Sequence, residues 1–351
     1  MFFSILIPVY NTSIYIKECV ESVLNQSFTD YEILLIDDGS TDNSGKICDE
    51  YVKSYPFINV IHKENEGLMM TRRRGFQEAQ GDYFICLDSD DFLYDKYSLE
   101  KIHKVIVESN CDLVLYNYMY GAGGGRNERV RNLFDYENGH VFEGNNLKEL
   151  YAKMVTTNSM NNIWIKCPSR NIVDIDTDYS VWKNVICRAE DMFQSYPMLS
   201  NAKRVGYIND PLYFYRWAEN SISNKPKYKY CDSFKCIFQR ENEYLEKWQL
   251  SESVKEQAIR RRIVRYMDVI VKCYFSSKKI GTIDEWKRFI CTLAEDDFFR
   301  HILDGCNKDK ILQYYKMLFG LICNKNVLST IVLIEIVSWI SNLKQRVSKN
   351  K

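Results

Sequence analysis

Apolar and polar positions alternate along the first third of the chain in blocks of two periods. Phe3 to Pro8 is an apolar run ended by the turn residues Val9-Tyr10-Asn11, which predicts a strand covered on both faces. Ile16, Cys19, Val20, Val23 and Leu24 then recur at helical spacing, with Ser13 as the expected cap. Glu32 to Ile36 predicts a second strand, broken by Asp37-Asp38-Gly39-Ser40. A helix from Asp42 to Lys53 follows, capped by Thr41 or Asp42. Phe57–Ile61, a helix over Leu68–Ala79, and Tyr83–Leu87 continue the order; another helix and the strand Asp112–Tyr116 close the unit. Strands separated by helices of this length imply a parallel sheet. In such sheets ligands sit beyond the carboxyl ends of the strands, where Tyr10, Asp38 and the Asp88 cluster fall.

The later chain reads differently. Gly121 to Arg126 predicts a flexible loop, and short strands and aromatic clusters then run to about Ser223. Beyond Tyr228 the pattern is helical, with charged stretches such as Arg260-Arg261-Arg262 expected to be solvated. No internal repeat is visible.

Composition narrows the possible functions. A 46% hydrophobic fraction over 351 residues supplies ample core for two domains and excludes a disordered chain. Lys+Arg and Asp+Glu both number 47, so there is no basic excess of the kind that marks a nucleic-acid binder. Twelve scattered cysteines, without a Cys-x-x-Cys pair, read as reduced buried thiols in a cytoplasmic protein. The N-terminal run has no basic segment or cleavage site ahead of it. Val327 to Ile340, the most apolar late stretch, is too short to span a bilayer and carries Glu335.

Two motifs are discarded. Gly39 to Lys46 has five residues between its glycines where a phosphate-binding P-loop has four, and Ile47 stands where a Ser or Thr is required. The Gly121 loop lacks the third glycine and following helix of a dinucleotide fingerprint. Asp88-Ser89-Asp90-Asp91 is more informative. Two carboxylates two residues apart past a buried strand suit Mg²⁺ or Mn²⁺ shared with phosphate, although a plain helix-capping turn would use the same residues. Asp38 offers either an Asx turn or an acceptor for a nucleotide.

Ser4-Ile5-Leu6-Ile7-Pro8-Val9-Tyr10-Asn11, Ser22–Ser27 and Leu35-Ile36-Asp37-Asp38-Gly39-Ser40-Thr41-Asp42 together resemble the family 2 glycosyltransferases. So do Asn65-Glu66-Gly67 with Arg72 and Gly75, and Gly81 through Asp91. The resemblance is dense over residues 3–118 and thinner to about 225. It implies a GT-A fold: a Rossmann-type, mainly parallel α/β sheet flanked by helices. Residues 1–118 would form the nucleotide-sugar half, 119–225 the acceptor and catalytic half, and 226–351 a helical C-terminal region. Pro8, Tyr10 and Asp38 would line a uracil pocket, with Asn65 and Arg72 close to the nucleotide. Asp88 would contact the ribose or the metal shell, and Asp90 would ligate the Mn²⁺ or Mg²⁺. The family's usual Ala-Arg-Asn is here Thr71-Arg72-Arg73-Arg74, of which Arg74 is expected in solvent.

Further along, Arg188-Ala189-Glu190-Asp191-Met192-Phe193 resembles the family's catalytic segment, with Asp191 as general base. In Tyr215–Ser223, Arg216 and Ser221 would bind the diphosphate. Many relatives carry a metal-binding His two residues after this Arg, where the chain has Ala218. No Gln-x-x-Arg-Trp precedes, so processive synthesis is not expected.

The activity implied is inverting transfer from a UDP-sugar to a hydroxyl of a glycan or lipid-linked acceptor, in building a surface polysaccharide. A non-catalytic nucleotide-sugar-binding subunit or sensor is the alternative. A sugar nucleotidyltransferase is disfavoured, because its Gly-rich loop after the first strand is replaced by Pro-Val-Tyr-Asn. At the C-terminus, apolar Ile331, Val332, Ile334, Ile336, Val337, Trp339, Ile340 and Leu343 surround a polar stripe of Glu335, Ser338, Asn342 and Gln345. Lys344, Arg346, Lys349 and Lys351 follow. Such a helix packs on protein, in the core or in a homodimer, or lies on the inner face of the cell membrane.

Overall fold

The computed structural model describes residues 1–122, 128–183, 185–186, 188–217, 229–280, 283–304 and 306–349. The chain divides into two compact units, Met1–Ser221 with Gln239–Leu250, and Ile222–Phe238 with Ser251–Lys351.

The first unit begins with strands and helices in strict alternation. These are β1 (Phe3–Val9), α1 (Ile16–Leu24), β2 (Tyr31–Asp37), α2 (Ser44–Ser54), β3 (Ile58–His62), α3 (Leu68–Glu78) and β4 (Tyr83–Cys86). The four strands form one parallel sheet in the order β3-β2-β1-β4, with Val9 opposite Asp37 and Leu6 opposite Cys86. Every residue of β1 and β2 is buried, as largely apolar strands inside a helix-flanked sheet must be, and buried Ser4 donates to Glu32 of the neighbouring strand (2.6 Å). Helix α3 approaches this sheet closely: a methyl group on Gly75 would stand 3.2 Å from Ile36 Cδ1 and 3.4 Å from Leu6 Cδ1.

The cap expected from Ser13 is not formed. Neither Tyr15 before α1 nor Asn43 before α2 makes a side-chain capping bond. Asp42 does bond the start of α2, its Oδ1 accepting from Ser44 N (2.8 Å), while its Oδ2 ties the two loops together by accepting from Ser13 N (3.1 Å). A short side chain that meets a neighbouring loop spends its oxygens there, a choice that local pattern does not reveal.

The chain continues through β5 (Phe92–Leu93), α4 (Ser98–Ser109), β6 (Leu113–Gly121), β7 (Arg129–Arg131), β8 (His140–Glu143), α5 (Leu147–Thr156), β9 (Lys166–Pro168), α6 (Glu190–Asn201) and β10 (Arg204–Arg216). The strand expected at Asp112–Tyr116 extends to Gly121 and joins a second, mixed sheet, ordered β5-β10-β6-β7. It runs parallel to β10 and antiparallel to β9. Its apolar run records burial on both faces but does not name its neighbours.

The second unit is helical: the start of α7 (Lys229–Lys247), then α8 (Glu252–Ile280), α9 (Ile283–Glu295), α10 (Asp297–Arg300), α11 (Gln313–Cys323) and α12 (Val327–Lys349). Trp286, Phe299, Leu318 and Ile334 are among its fully buried side chains. The basic run does not lie wholly in solvent as expected. Arg260 is exposed, but Arg262 is buried, its guanidinium 5.8 Å from the centre of the Phe238 ring. A long side chain covers apolar surface with its stem whatever its charge. Among the described residues, no helix is long and apolar enough to cross a membrane.

Candidate functional site

Helix α3 carries the group on which the site is organised. Arg72 is fully buried, although it belongs to a run of three arginines. Its guanidinium donates to Asp88 Oδ1 (2.7 Å) and to Asp191 Oδ1, with Glu190 Oε1 at 3.9 Å. Asp88 follows β4 and Asp191 opens α6, so one side chain ties the parallel sheet to the later half of the unit. The neighbouring arginines diverge. Arg73 is buried, donates to Thr177 O (2.5 Å) and lies over the Tyr179 ring (4.5 Å), whereas Arg74 is exposed and pairs with Glu78 (2.9 Å).

Ala189, immediately before the Glu190-Asp191 pair, adopts the left-handed backbone conformation (φ 58°). Residues other than glycine enter that region at a cost, and functional sites are where such strain collects. Asp191 Oδ2 faces the backbone N–H of Ile163 at 3.4 Å. That backbone is held from behind by Lys166, which is fully buried and donates to Met160 O (2.7 Å) and Asn162 O. Burial lowers the Lys166 ammonium to about 7, with the Asp191 charge opposing the shift. The sequence signal for Lys166 was a lone cation in the apolar stretch Ile163–Cys167.

The carboxylates beyond β4 have three different surroundings. Asp88 is raised above the usual carboxylate range by burial first, against the pull of Arg72. Asp90 reaches solvent, yet protein crowds its carboxyl, and desolvation followed by the Asp88 charge pushes it up to about 6. Asp91 is buried and structural. Its Oδ2 accepts from the Tyr213 hydroxyl (2.7 Å) and its Oδ1 from Arg216 N (2.8 Å). Tyr213 also accepts from Asp88 N (3.2 Å) and stacks on Trp164, with ring centres 4.4 Å apart. The Arg216 side chain donates to Asp90 O (2.9 Å) and to Glu18 Oε2 (2.6 Å).

A second group surrounds the end of β2. Asp38 is buried and accepts from Glu66 N (2.9 Å), Gly67 N (2.9 Å) and the Lys63 ammonium. Lys63 also pairs with Glu66 (2.9 Å). Asn65, in the same connection, is exposed, and its backbone nitrogen lies 3.0 Å from where a methyl group on Gly39 would stand. Gly39 has φ 72°, so both the conformation and the close approach require glycine. Pro8 is buried in β1 opposite Ile36, and the Tyr10 ring at the strand's end is 44% exposed, open to a planar partner.

The structure therefore gathers Arg72, Asp88, Asp90, Asp191 and Arg216 about the end of β4. Pro8, Tyr10, Asp38 and Asn65 stand at the ends of β1 and β2 and in the β3–α3 connection. Ser221 and Ala218 lie outside the described residues. Among the described residues, no cluster of three His, Cys, Asp or Glu side chains is arranged to hold a metal ion.

Comparison with known proteins bears on the family and the fold. Residues 4–168 match the family described as Glycosyl transferase family 2. Glycosyltransferase GlyG of Streptococcus pneumoniae is 31% identical over 223 residues, 62% of this chain and 72% of that protein. Glycosyltransferase GlyA of the same organism is 29% identical over 63% of this chain and 31% of its own length. Residues 1–349 of TarS from S. aureus superpose with a TM-score of 0.65 at 19% identity, covering 97% of this chain and 92% of that one. With its parallel sheet, the Asp88–Asp91 turn and these relatives, the chain belongs to the family 2 glycosyltransferases and has the GT-A fold.

Proposed function

We propose that the protein transfers a sugar from a UDP-sugar to an acceptor hydroxyl with inversion, by direct displacement and with the help of a divalent cation. The observation that carries this reading is the placement of Asp191 and Asp88 on one buried guanidinium, with Asp90 two residues beyond. The similar TarS structure is a complex with UDP, and another structure of that protein holds UDP-GlcNAc, which supports the choice of donor class.

In this reading Asp191 accepts the acceptor's proton as its oxygen attacks the anomeric carbon. Arg72 fixes one oxygen of that carboxylate and Ile163 N–H faces the other, so the base has little freedom to turn. Tyr10 offers its open ring to the uracil face, with Pro8 beneath it in β1. Asp38, whose oxygens are engaged by the β3–α3 connection, shapes the wall beside Asn65. Arg216 and, in the segment outside the described residues, Ser221 would meet the diphosphate. Arg216 would have to exchange its Glu18 partner for phosphate.

The donor set fits a hard cation only in part. The Asp90 carboxyl receives no hydrogen bond from another residue among those described, Arg216 reaching only its backbone oxygen, and the repulsion between Asp88 and Asp90 is what a positive charge would relieve. With no third protein ligand gathered among the described residues, Asp88 and Asp90 would hold Mn²⁺ or Mg²⁺ together with the donor's phosphate oxygens. Bound there, the ion would neutralise charge on the departing diphosphate. The acceptor would be a glycan or lipid-linked sugar of a surface polysaccharide.

Asp191→Asn tests the assignment. It removes the proton acceptor and keeps the shape, so UDP release in the presence of acceptor should fall at least ~10²-fold while UDP affinity by calorimetry holds. Wild-type turnover in this variant would transfer the role to Glu190, its buried neighbour.

A further inference from the structure

Helix α12 has apolar residues on two opposite sides. On one, Thr330 and Ile334 are fully buried within the helical unit. On the other, Leu328 (76% exposed), Val332, Ile336, Trp339 (65%) and Ile340 stand in solvent. Their spacing of four, four, three and one residues places them within about a third of the helix circumference, at 100° per residue. A helix apolar on every side is ordinarily enclosed, and this one is enclosed on one side alone.

The only charge between Val327 and Ser341 is Glu335, which flanks the edge of that outer stripe and is half-buried. Glu335 Oε1 accepts from the Tyr274 hydroxyl at 2.6 Å, within the same unit, and this pushes the phenol up to about 12 after burial has raised it. No acid then follows Glu335, whereas Lys344, Arg346, Lys349 and Lys351 do. An uncharged stripe four turns long, with a large indole in it and a run of cations after it, has the chemistry of a helix that lies in a lipid headgroup region.

We infer that α12 is a membrane-surface anchor, its outer stripe seated in an anionic lipid leaflet and the basic residues after it paired with the headgroups. A second copy of the same helix is the competing occupant, but it offers no exposed carboxylate to complement those four cations. An anionic bilayer meets both the apolar stripe and the charges. The inference rests on α12 alone and is independent of the sugar chemistry.

The full chain should float with vesicles of phosphatidylcholine containing phosphatidylglycerol and bind pure phosphatidylcholine vesicles weakly. Val332→Glu with Trp339→Glu places two acids on solvent-facing positions. It should abolish flotation while circular dichroism and UDP affinity stay at wild-type values. Should that variant fold poorly, replacing Lys344, Arg346, Lys349 and Lys351 by Gln gives an independent reading. At about fivefold per cation near an anionic surface, binding to anionic vesicles should weaken by several hundredfold, with the helix stripe intact. A wild-type chain that stays with the unbound fraction overturns the inference. So does flotation unchanged in a well-folded glutamate variant, or a concentration-dependent dimer that the variant disrupts without any lipid binding.

Discussion

Replacing Arg72 by Met tests whether one guanidinium holds the site together. The side chain is fully buried and engages Asp88 and Asp191, with Glu190 Oε1 3.9 Å away. Met preserves much of the volume and removes the charge, leaving three partly buried carboxyls with no cation between them. Breaking a buried pair by deleting one partner costs about 3–5 kcal/mol, because the surviving charge stays desolvated. The sign with pH follows from the carboxyls. Asp88 and Glu190 already sit above the ordinary carboxylate value, by burial first, with Arg72 pulling both down. Without Arg72 they rise further. A folded-state acid that holds its proton to higher pH than the unfolded chain loses stability as pH rises through that interval. The deficit should therefore be full at pH 8 and shrink towards pH 5, as protonation removes the repulsion. Hydrogen exchange of the β1 and β4 amides reads this within the first unit, where a global melt of a two-unit chain would not. At 1.36 kcal/mol per tenfold, protection at pH 8 should drop by about a hundredfold to a few thousandfold. A loss under about tenfold, or the same loss at pH 5 and pH 8, refutes the reasoning.

Three further substitutions probe the surrounding groups. Asp90→Asn removes a carboxyl held at about 6, whose destabilising charge develops as pH rises from about 4 through 6. In the cation-free variant hydrogen-exchange protection of the β1 and β4 amides should exceed wild type at pH 7.5 and equal it near pH 4, and cation should no longer strengthen its UDP binding; retained cation dependence would exclude Asp90 as a ligand. Tyr213→Phe takes one donor from buried Asp91 and the acceptor from Asp88 N, and should cost about 1–3 kcal/mol, read as lower hydrogen-exchange protection of the β4 amides. Lys166→Met frees the carbonyls of Met160 and Asn162 and should cut kcat about tenfold with donor KM unchanged. Because the folded-state ammonium is lowered to about 7, wild-type stability should climb with pH from there towards the ordinary lysine value, and the variant should lose that slope.

Much of the molecule was legible in the sequence for a definite reason. A strand buried on both faces must be apolar throughout, and a helix on such a sheet must repeat near 3.6, so β1 to β4 and α1 to α3 announce themselves. The turns after β1, β2 and β4 likewise advertise their polar residues, because short polar side chains have few other uses beyond a buried strand. Partnership was not legible. Arg72, Arg73 and Arg74 are one residue type in sequence, and helical geometry alone sends the first to carboxylates, the second beneath Tyr179 and the third to solvent. Nothing in the sequence marked Lys166 as the buried support of the Met160 and Asn162 carbonyls, and Arg262, expected in solvent, is covered by Phe238. The sequence by itself determined which segments are apolar enough to form the sheet and which positions carry chemistry. Only the tertiary structure decided which charges meet, because Arg72, Asp88 and Asp191 come from elements whose separation along the chain carries no record of their contact.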